Sequence, residues 1–195
     1  MRVIGITGGI GTGKSTILNV MKEQFGAYVL EADRLAHQLM EPGKIAYRKI
    51  VDIFGKDVLK EDCTIDRKKL GGIVFQDPEA LNRLNGIVHP TVKEYILQDI
   101  EAKKREGQID YYVIEAALLI EDGYRLICDE LWYVHADREE RINRLISGRG
   151  GNREKWEQVI ASQSGEAFYR DNCDVVIDNG KNLKNTINMV KDLLS

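Results

Sequence analysis

The stretch Gly8-Gly9-Ile10-Gly11-Thr12-Gly13-Lys14-Ser15 combines residue types and spacing that point directly to chemistry. It fits G-x-x-x-x-G-K-[ST], the loop that wraps the phosphates of a nucleoside triphosphate. Glycines permit backbone angles closed to other residues, so amide N–H groups can turn inward on an anion. A helix beginning at Gly13 brings its positive dipole end to the same point. Lys14 suits the β- and γ-phosphates, and the Ser15 hydroxyl suits Mg²⁺. Gly8, Gly9, Gly11, Thr12, Gly13, Lys14, Ser15 and Thr16 are therefore the expected ATP contacts.

A second chemical signal is Glu31-Ala32-Asp33, at the end of an expected strand. In a parallel α/β sheet, the strand ends beside the phosphate loop face the ligand crevice. A carboxylate there can take the proton of an acceptor hydroxyl, and Asp33 is the candidate; it can equally cap the helix expected over Arg34–Met40. A third signal is the run Arg138, Arg141, Arg144, Arg149 and Arg153 in an otherwise acidic chain. Guanidinium groups bind phosphate oxygens in bidentate fashion and stay charged. With Gly148, Gly150 and Gly151 among them, they read as a lid over a transferring phosphoryl group or as a solvated helix face beside Ile142, Leu145 and Ile146.

These groups need elements to position them. Arg2–Thr7 reads as a buried strand and Lys14–Phe25 as the amphipathic helix after the loop. Further strands are expected at Tyr28–Leu30, Tyr111–Ala116, Glu130–His135 and Asp174–Ile177, and helices at Arg138–Ile146, Arg153–Ser164 and Leu183–Leu194. Asp137 and Glu140 have capping-box spacing. Helical patterns dominate from Asp33 to Arg105, punctuated by Pro42-Gly43, Gly55, Gly71-Gly72, Pro78 and Pro90. Strands alternating with helices imply an α/β fold with a five-stranded parallel sheet flanked by helices. One domain over 1–195 is expected: a core of 1–32, 108–137 and 172–195, a helical acceptor-binding insertion at 33–107, and a helical lid at 138–171.

The net charge of −3 argues against a nucleic-acid binder with a basic face. Cys63, Cys128 and Cys173 make no CxxC pair and read as reduced thiols. The apolar stretch Val3–Thr7 is too short for a signal peptide, and no run suits a membrane helix. A cytoplasmic protein acting on a small molecule, as a monomer or weak homo-oligomer, is the expectation.

From Ile4 to about Leu194 the residues resemble the dephospho-CoA kinase family. IGITGGIGTGKST is close to that family's phosphate loop, EADRLAHQL to its acidic motif, LNGIVHPTV to its histidine-proline motif, IEAALLIEDG to its strand and double-leucine motif, and DVVIDNG to its C-terminal strand and adenine-side loop. The resemblance implies a P-loop kinase fold and transfer of phosphate from ATP·Mg²⁺ to the ribose 3′-hydroxyl of dephospho-CoA. It puts the catalytic carboxylate on Asp33 and acceptor contacts on His89 and Glu121, with Pro90 opening a helix. Lys14, Arg144 and Arg149 would act on the phosphates, and Glu115 would orient Mg²⁺ or its waters. Four departures stand out. Glu31 replaces the usual aspartate, Ala117 a proline and Val159 an arginine, and Arg144 and Arg149 are spaced by five rather than four. Two other readings remain. One is a nucleoside or nucleotide kinase of the same fold; the other is a nucleotide-binding switch or sensor, whose GTPase version would need an N-K-x-D motif that the chain lacks.

Overall fold

The structure, a computed structural model, describes residues 1–180 and 182–194. Lys181 and Ser195, within the expected core range 172–195, lie outside the described residues. The chain divides into two compact units, residues 1–30 with 106–195, and residues 31–105.

The first unit begins with β1 (Arg2–Thr7), the glycine loop and α1 (Lys14–Phe25). Gly13 is the N-cap of α1, whose bounds are those expected from the apolar spacing. β2 (Tyr28–Glu31) leads into the second unit, where α2 (Ala32–Leu39), α3 (Ile45–Phe54), α4 (Arg67–Val74) and α5 (Pro78–Glu106) follow. The chain returns through β3 (Tyr111–Glu115), β4 (Glu130–His135), α6 (Arg138–Arg149), α7 (Arg153–Ala161), α8 (Glu166–Asn172), β5 (Val175–Asp178) and α9 (Leu183–Leu194).

The five strands form one sheet in the order β2-β3-β1-β4-β5. β1 lies between β3 and β4, with Ile4 opposite Val113 and Ile6 opposite Trp132, both pairings parallel. Alternation along each strand sorts the side chains by face. Ile4, Ile6, Val113, Trp132, Val134 and Ile177 pack with Ile17 and Met21 of α1 and Val190 and Leu194 of α9. The opposite face explains Gly5: a Cβ there would come within 2.7 Å of Leu131 and 2.8 Å of Leu119. Arg2 ties the start of β1 to β4 and α9, donating to both Glu130 oxygens at 2.7 and 2.6 Å and to the Leu193 carbonyl at 2.9 Å.

Several local expectations are corrected. α2 begins two residues early, with Glu31 as N-cap, so Asp33 lies in its first turn and caps nothing. A carboxylate in that turn still favours the helix through its dipole. The capping box at α6 is not formed: Asp137 makes no capping bond, and Glu140 accepts from Arg144 Nε at 3.0 Å instead. The helix expected over Arg153–Ser164 stops at Ala161, and α8 follows it. Gly71 and Gly72 lie inside α4, which is secured by the Asp66 side chain accepting from Lys68 N and Lys69 N at 3.0 and 3.1 Å.

Pro90 does not open a helix; it sits inside the 29-residue α5. An interior proline removes a backbone bond and costs about 3 kcal/mol. Burial of Ile87, Val92, Ile96 and Ile100 on this helix opposes that cost, at about 1.5–3 kcal/mol for each side chain. The Thr91 hydroxyl also donates to the Ile87 carbonyl at 2.7 Å, supplying a polar contact one residue from the break.

Candidate active site: a glycine cradle with fixed cations

The loop between β1 and α1 has three glycines in left-handed or related conformations, Gly8 (φ 147°), Gly11 (φ 79°) and Gly13 (φ 88°). Side chains at these positions would also collide with fixed neighbours. A Cβ on Gly8 would lie 2.5 Å from the Val134 carbonyl oxygen, and one on Gly13 would lie 2.2 Å from Asn179 Nδ2. Gly9 is different. Its φ is not positive, and a Cβ there would come within 2.3 Å of Arg141 Nη2, the end of a side chain that would have to shift.

Hydrogen bonds hold the cradle from several directions. The buried Thr12 donates its hydroxyl to the Gly9 carbonyl at 2.9 Å, closing the loop on itself. Asn179, just past β5, donates Nδ2 to the Thr12 carbonyl at 2.9 Å. Lys14 Nζ reaches back to the Gly8 carbonyl at 2.8 Å and lies 3.7 Å from the Glu115 carboxylate at the end of β3. Ser15 is exposed in the first turn of α1, and Thr16 N–H bonds the Gly13 carbonyl at 3.0 Å. A backbone bent in this way around one lysine suits a polyphosphate.

The arginine run divides by environment. Arg144 donates to the carbonyls of Asn179 at 2.7 Å, Gly180 at 3.1 Å and Thr12 at 3.3 Å, and pairs with Glu140. Arg141 donates Nε to the Ile10 carbonyl at 2.8 Å and Nη2 to Gln163 Oε1 at 2.9 Å. Arg138 and Arg153 form exposed ion pairs with Glu157, and Arg153 also pairs with Glu139. Arg149 is exposed at the end of α6, just before the left-handed Gly150. The solvated-face reading therefore describes Arg138 and Arg153, whereas Arg141 and Arg144 reach the phosphate loop.

Glu121 is exposed and accepts from Ser164 Oγ at 3.2 Å. In the other unit, Asp33 is exposed on α2 and makes no hydrogen bond or ion pair among the described residues, and His89 is half-buried on α5. Among the described residues, no cluster of three His, Cys, Asp or Glu side chains is placed to hold a metal. Three contributors to the cradle were not singled out from the sequence: Arg141, Gln163 and Asn179. Arg141 was visible only as one of a run, and Asn179 only as part of DVVIDNG. Gln163 stood in the sequence only as the family-pattern glutamine four residues after Val159, and its bond to the Ile10 amide, 153 residues away, has no local signal.

The sheet order, the loop and the flanking helices are those of a P-loop kinase. A sequence model of the dephospho-CoA kinase family matches residues 2–185. A dephospho-CoA kinase of Carboxydothermus hydrogenoformans is 38% identical over 192 residues, spanning 98% of this chain and 92% of its own. Another, from Geobacter metallireducens, is 42% identical over 180 residues, spanning 92% and 88%. The solved structure of TT1252 from Thermus thermophilus matches with a TM-score of 0.82 at 28% identity, over 99% of this chain and 96% of that one. Shikimate kinase from Acinetobacter baumannii shares the fold alone, with a TM-score of 0.51 at 12% identity over 100% and 91% of the chains. With a matched model over nearly its whole length and full-length relatives above 30% identity, the chain belongs to the dephospho-CoA kinase family.

Proposed function

We propose that this protein transfers the γ-phosphoryl group of ATP to the ribose 3′-hydroxyl of dephospho-CoA, giving coenzyme A and ADP, the last step of coenzyme A synthesis. The observation that carries this reading is the cradle, with Gly8, Gly11 and Gly13 turned to positive φ and Lys14 fixed across its first residue. The named relatives supply the acceptor.

In this reading the amides of the loop and Lys14 receive the phosphates of ATP. Mg²⁺ would supply charge neutralisation when bound; the Ser15 hydroxyl would help to hold it and Glu115 would orient its waters. Asp33 accepts the proton of the 3′-hydroxyl as that oxygen attacks the γ-phosphorus in line and ADP leaves. Having no partner of its own among the described residues, the Asp33 carboxylate is available for that proton. His89 and Glu121 are assigned to the acceptor. Arg144 and Arg149 spread the charge that develops on the transferring group. Residues 138–171 act as the lid and 33–107 as the acceptor-binding insertion, in a cytoplasmic enzyme that is a monomer or weak homo-oligomer.

The test is to incubate the purified protein with Mg·ATP and dephospho-CoA, adenosine, AMP, CMP or shikimate in separate reactions, and to locate any added phosphate by mass spectrometry. Phosphate at the 3′-hydroxyl of dephospho-CoA alone, lost on Asp33→Ala, is the expected result. Transfer to another acceptor would overturn the substrate assignment and favour a nucleoside or nucleotide kinase. No transfer to any of them, with nucleotide binding retained, would favour a sensor.

A further inference from the structure

Arg141 differs from the other arginines around it. It is half-buried, and its guanidinium packs against Gly9 at the tip of the cradle. Its hydrogen-bond partners are two neutral oxygens, the Ile10 carbonyl and Gln163 Oε1, and among the described residues no carboxylate lies within ion-pair reach. Arg138, Arg144 and Arg153 each have a glutamate. Burial pushes the Arg141 guanidinium below its ordinary pKa, with the nearby Tyr133 and Tyr169 acting against that shift. Taking a cation out of water is costly unless an opposite charge meets it. A half-buried cation with no resident anion among the described residues, bonded to the backbone of a phosphate loop, is therefore placed to receive its counter-charge from a ligand.

The position along the loop says which part of that ligand. Lys14 Nζ bonds the Gly8 carbonyl, which puts the ammonium group at the first residue of the loop, beside Gly9 and Ile10. That lysine serves the β- and γ-phosphates in loops of this kind. Arg141, bonded at Ile10, adjoins the same end. Gln163 fixes it there, because its one amide oxygen accepts from both the Ile10 N–H at 2.9 Å and Arg141 Nη2 at 2.9 Å. An amide can orient the guanidinium without neutralising it. A glutamate in its place would consume the charge.

We propose that Arg141, oriented by Gln163, is an additional phosphate-binding residue that grips the terminal phosphoryl group of ATP. The proposal rests on the ATP-binding reading given above. Gln163 is a positioning residue, and the guanidinium occupies the space beside Gly9.

The experiment is to titrate wild type, Arg141→Gln and Gln163→Glu with ATP and with ADP, by calorimetry, after circular dichroism has shown each variant to be folded. Arg141→Gln keeps a donor for the Ile10 carbonyl and loses the charge together with the Nη2 bond to Gln163. It should weaken ATP about 10- to 100-fold, the range for losing one charge-assisted hydrogen bond, and leave ADP within about twofold. Gln163→Glu should weaken ATP in the same sense at neutral pH and recover as the new carboxylate is protonated at lower pH. Equal weakening of ATP and ADP, or unchanged ATP binding in Arg141→Gln, would overturn the role of Arg141. Wild type that binds neither nucleotide would instead sink the ATP reading, and this proposal with it.

Discussion

In the unit formed by residues 1–30 and 106–195, the side chains around the phosphate loop are tied to the frame, the exposed Arg149 excepted. Lys14 bonds Gly8, Arg141 bonds Ile10, Arg144 bonds Thr12, and Asn179 bonds Thr12 from the end of β5. In the unit of residues 31–105, Asp33 stands exposed on the first turn of α2 with no partner among the described residues. The two arrangements suit different tasks. Donors aimed at a developing charge gain by being fixed before it forms, because no reorganisation is then needed during the reaction. A general base must remain free to accept a proton from a group that arrives with the substrate.

The comparison can be broken by separating chemistry from nucleotide binding. Asp33→Asn should lower kcat for dephospho-CoA phosphorylation by about 10²–10⁴, the usual worth of a positioned base, with the ATP dissociation constant unchanged. A parallel loss of ATP affinity would show that Asp33 belongs to the nucleotide site. Gly13→Ala should act in the opposite way. The methyl group would meet Asn179 Nδ2 at 2.2 Å in a backbone at φ 88°, so it should displace the Asn179–Thr12 bond and weaken ATP. A loss of about tenfold is expected, the equivalent of roughly 1.4 kcal/mol, and wild-type affinity in this variant would remove the claim that the cradle is fixed by its neighbours.

The smallest effect tests the frame under the fixed side. Arg2 donates to both oxygens of Glu130 and Trp132 Nε1 donates to one of them, and the Arg2 bond is the main reason that the Glu130 carboxyl lies below its ordinary value. A carboxyl held low in the folded state contributes stability above its unfolded pKa, about 4.3 for glutamate, and loses it as pH falls through the folded value. Glu130→Gln should therefore lower stability at pH 7 by about 1 kcal/mol or less for this partly exposed pair. The deficit should close as pH falls below that of the folded carboxyl. A deficit that is constant from pH 7 to pH 3, followed by thermal unfolding, would mean that packing rather than charge is responsible.

Much of the molecule was legible where the information is local. The phosphate loop is contiguous, its glycines are required by backbone angles or close contacts, and the β-branched run of β1 precedes it. The five strands were likewise marked by short apolar runs, with ends displaced by a residue or so. The helical region was read less well. Pro90 was taken as a start and Gly71-Gly72 as a break, because local propensity favours those readings. Burial along α5 and the Asp66 cap of α4 outweigh it. Local spacing also suggested a capping box at Asp137 and Glu140, but Glu140 is engaged by Arg144, which bonds three backbone carbonyls as well.

The sequence by itself determined the chemistry that the chain can offer: a triphosphate loop, a carboxylate at a strand end, and a supply of arginines. Only the tertiary structure decided which arginines reach the loop. On one helix, positions three or four residues apart share a face, yet Arg138, Arg141 and Arg144 find different partners. Arg138 pairs with Glu157, whereas Arg141 and Arg144 bond residues far away in the chain, Ile10, Thr12, Gln163 and Asn179, brought together by the crossovers of a parallel sheet. A guanidinium goes where oxygen acceptors meet it at the depth to which its helix is buried, and that depth is a property of the packed fold.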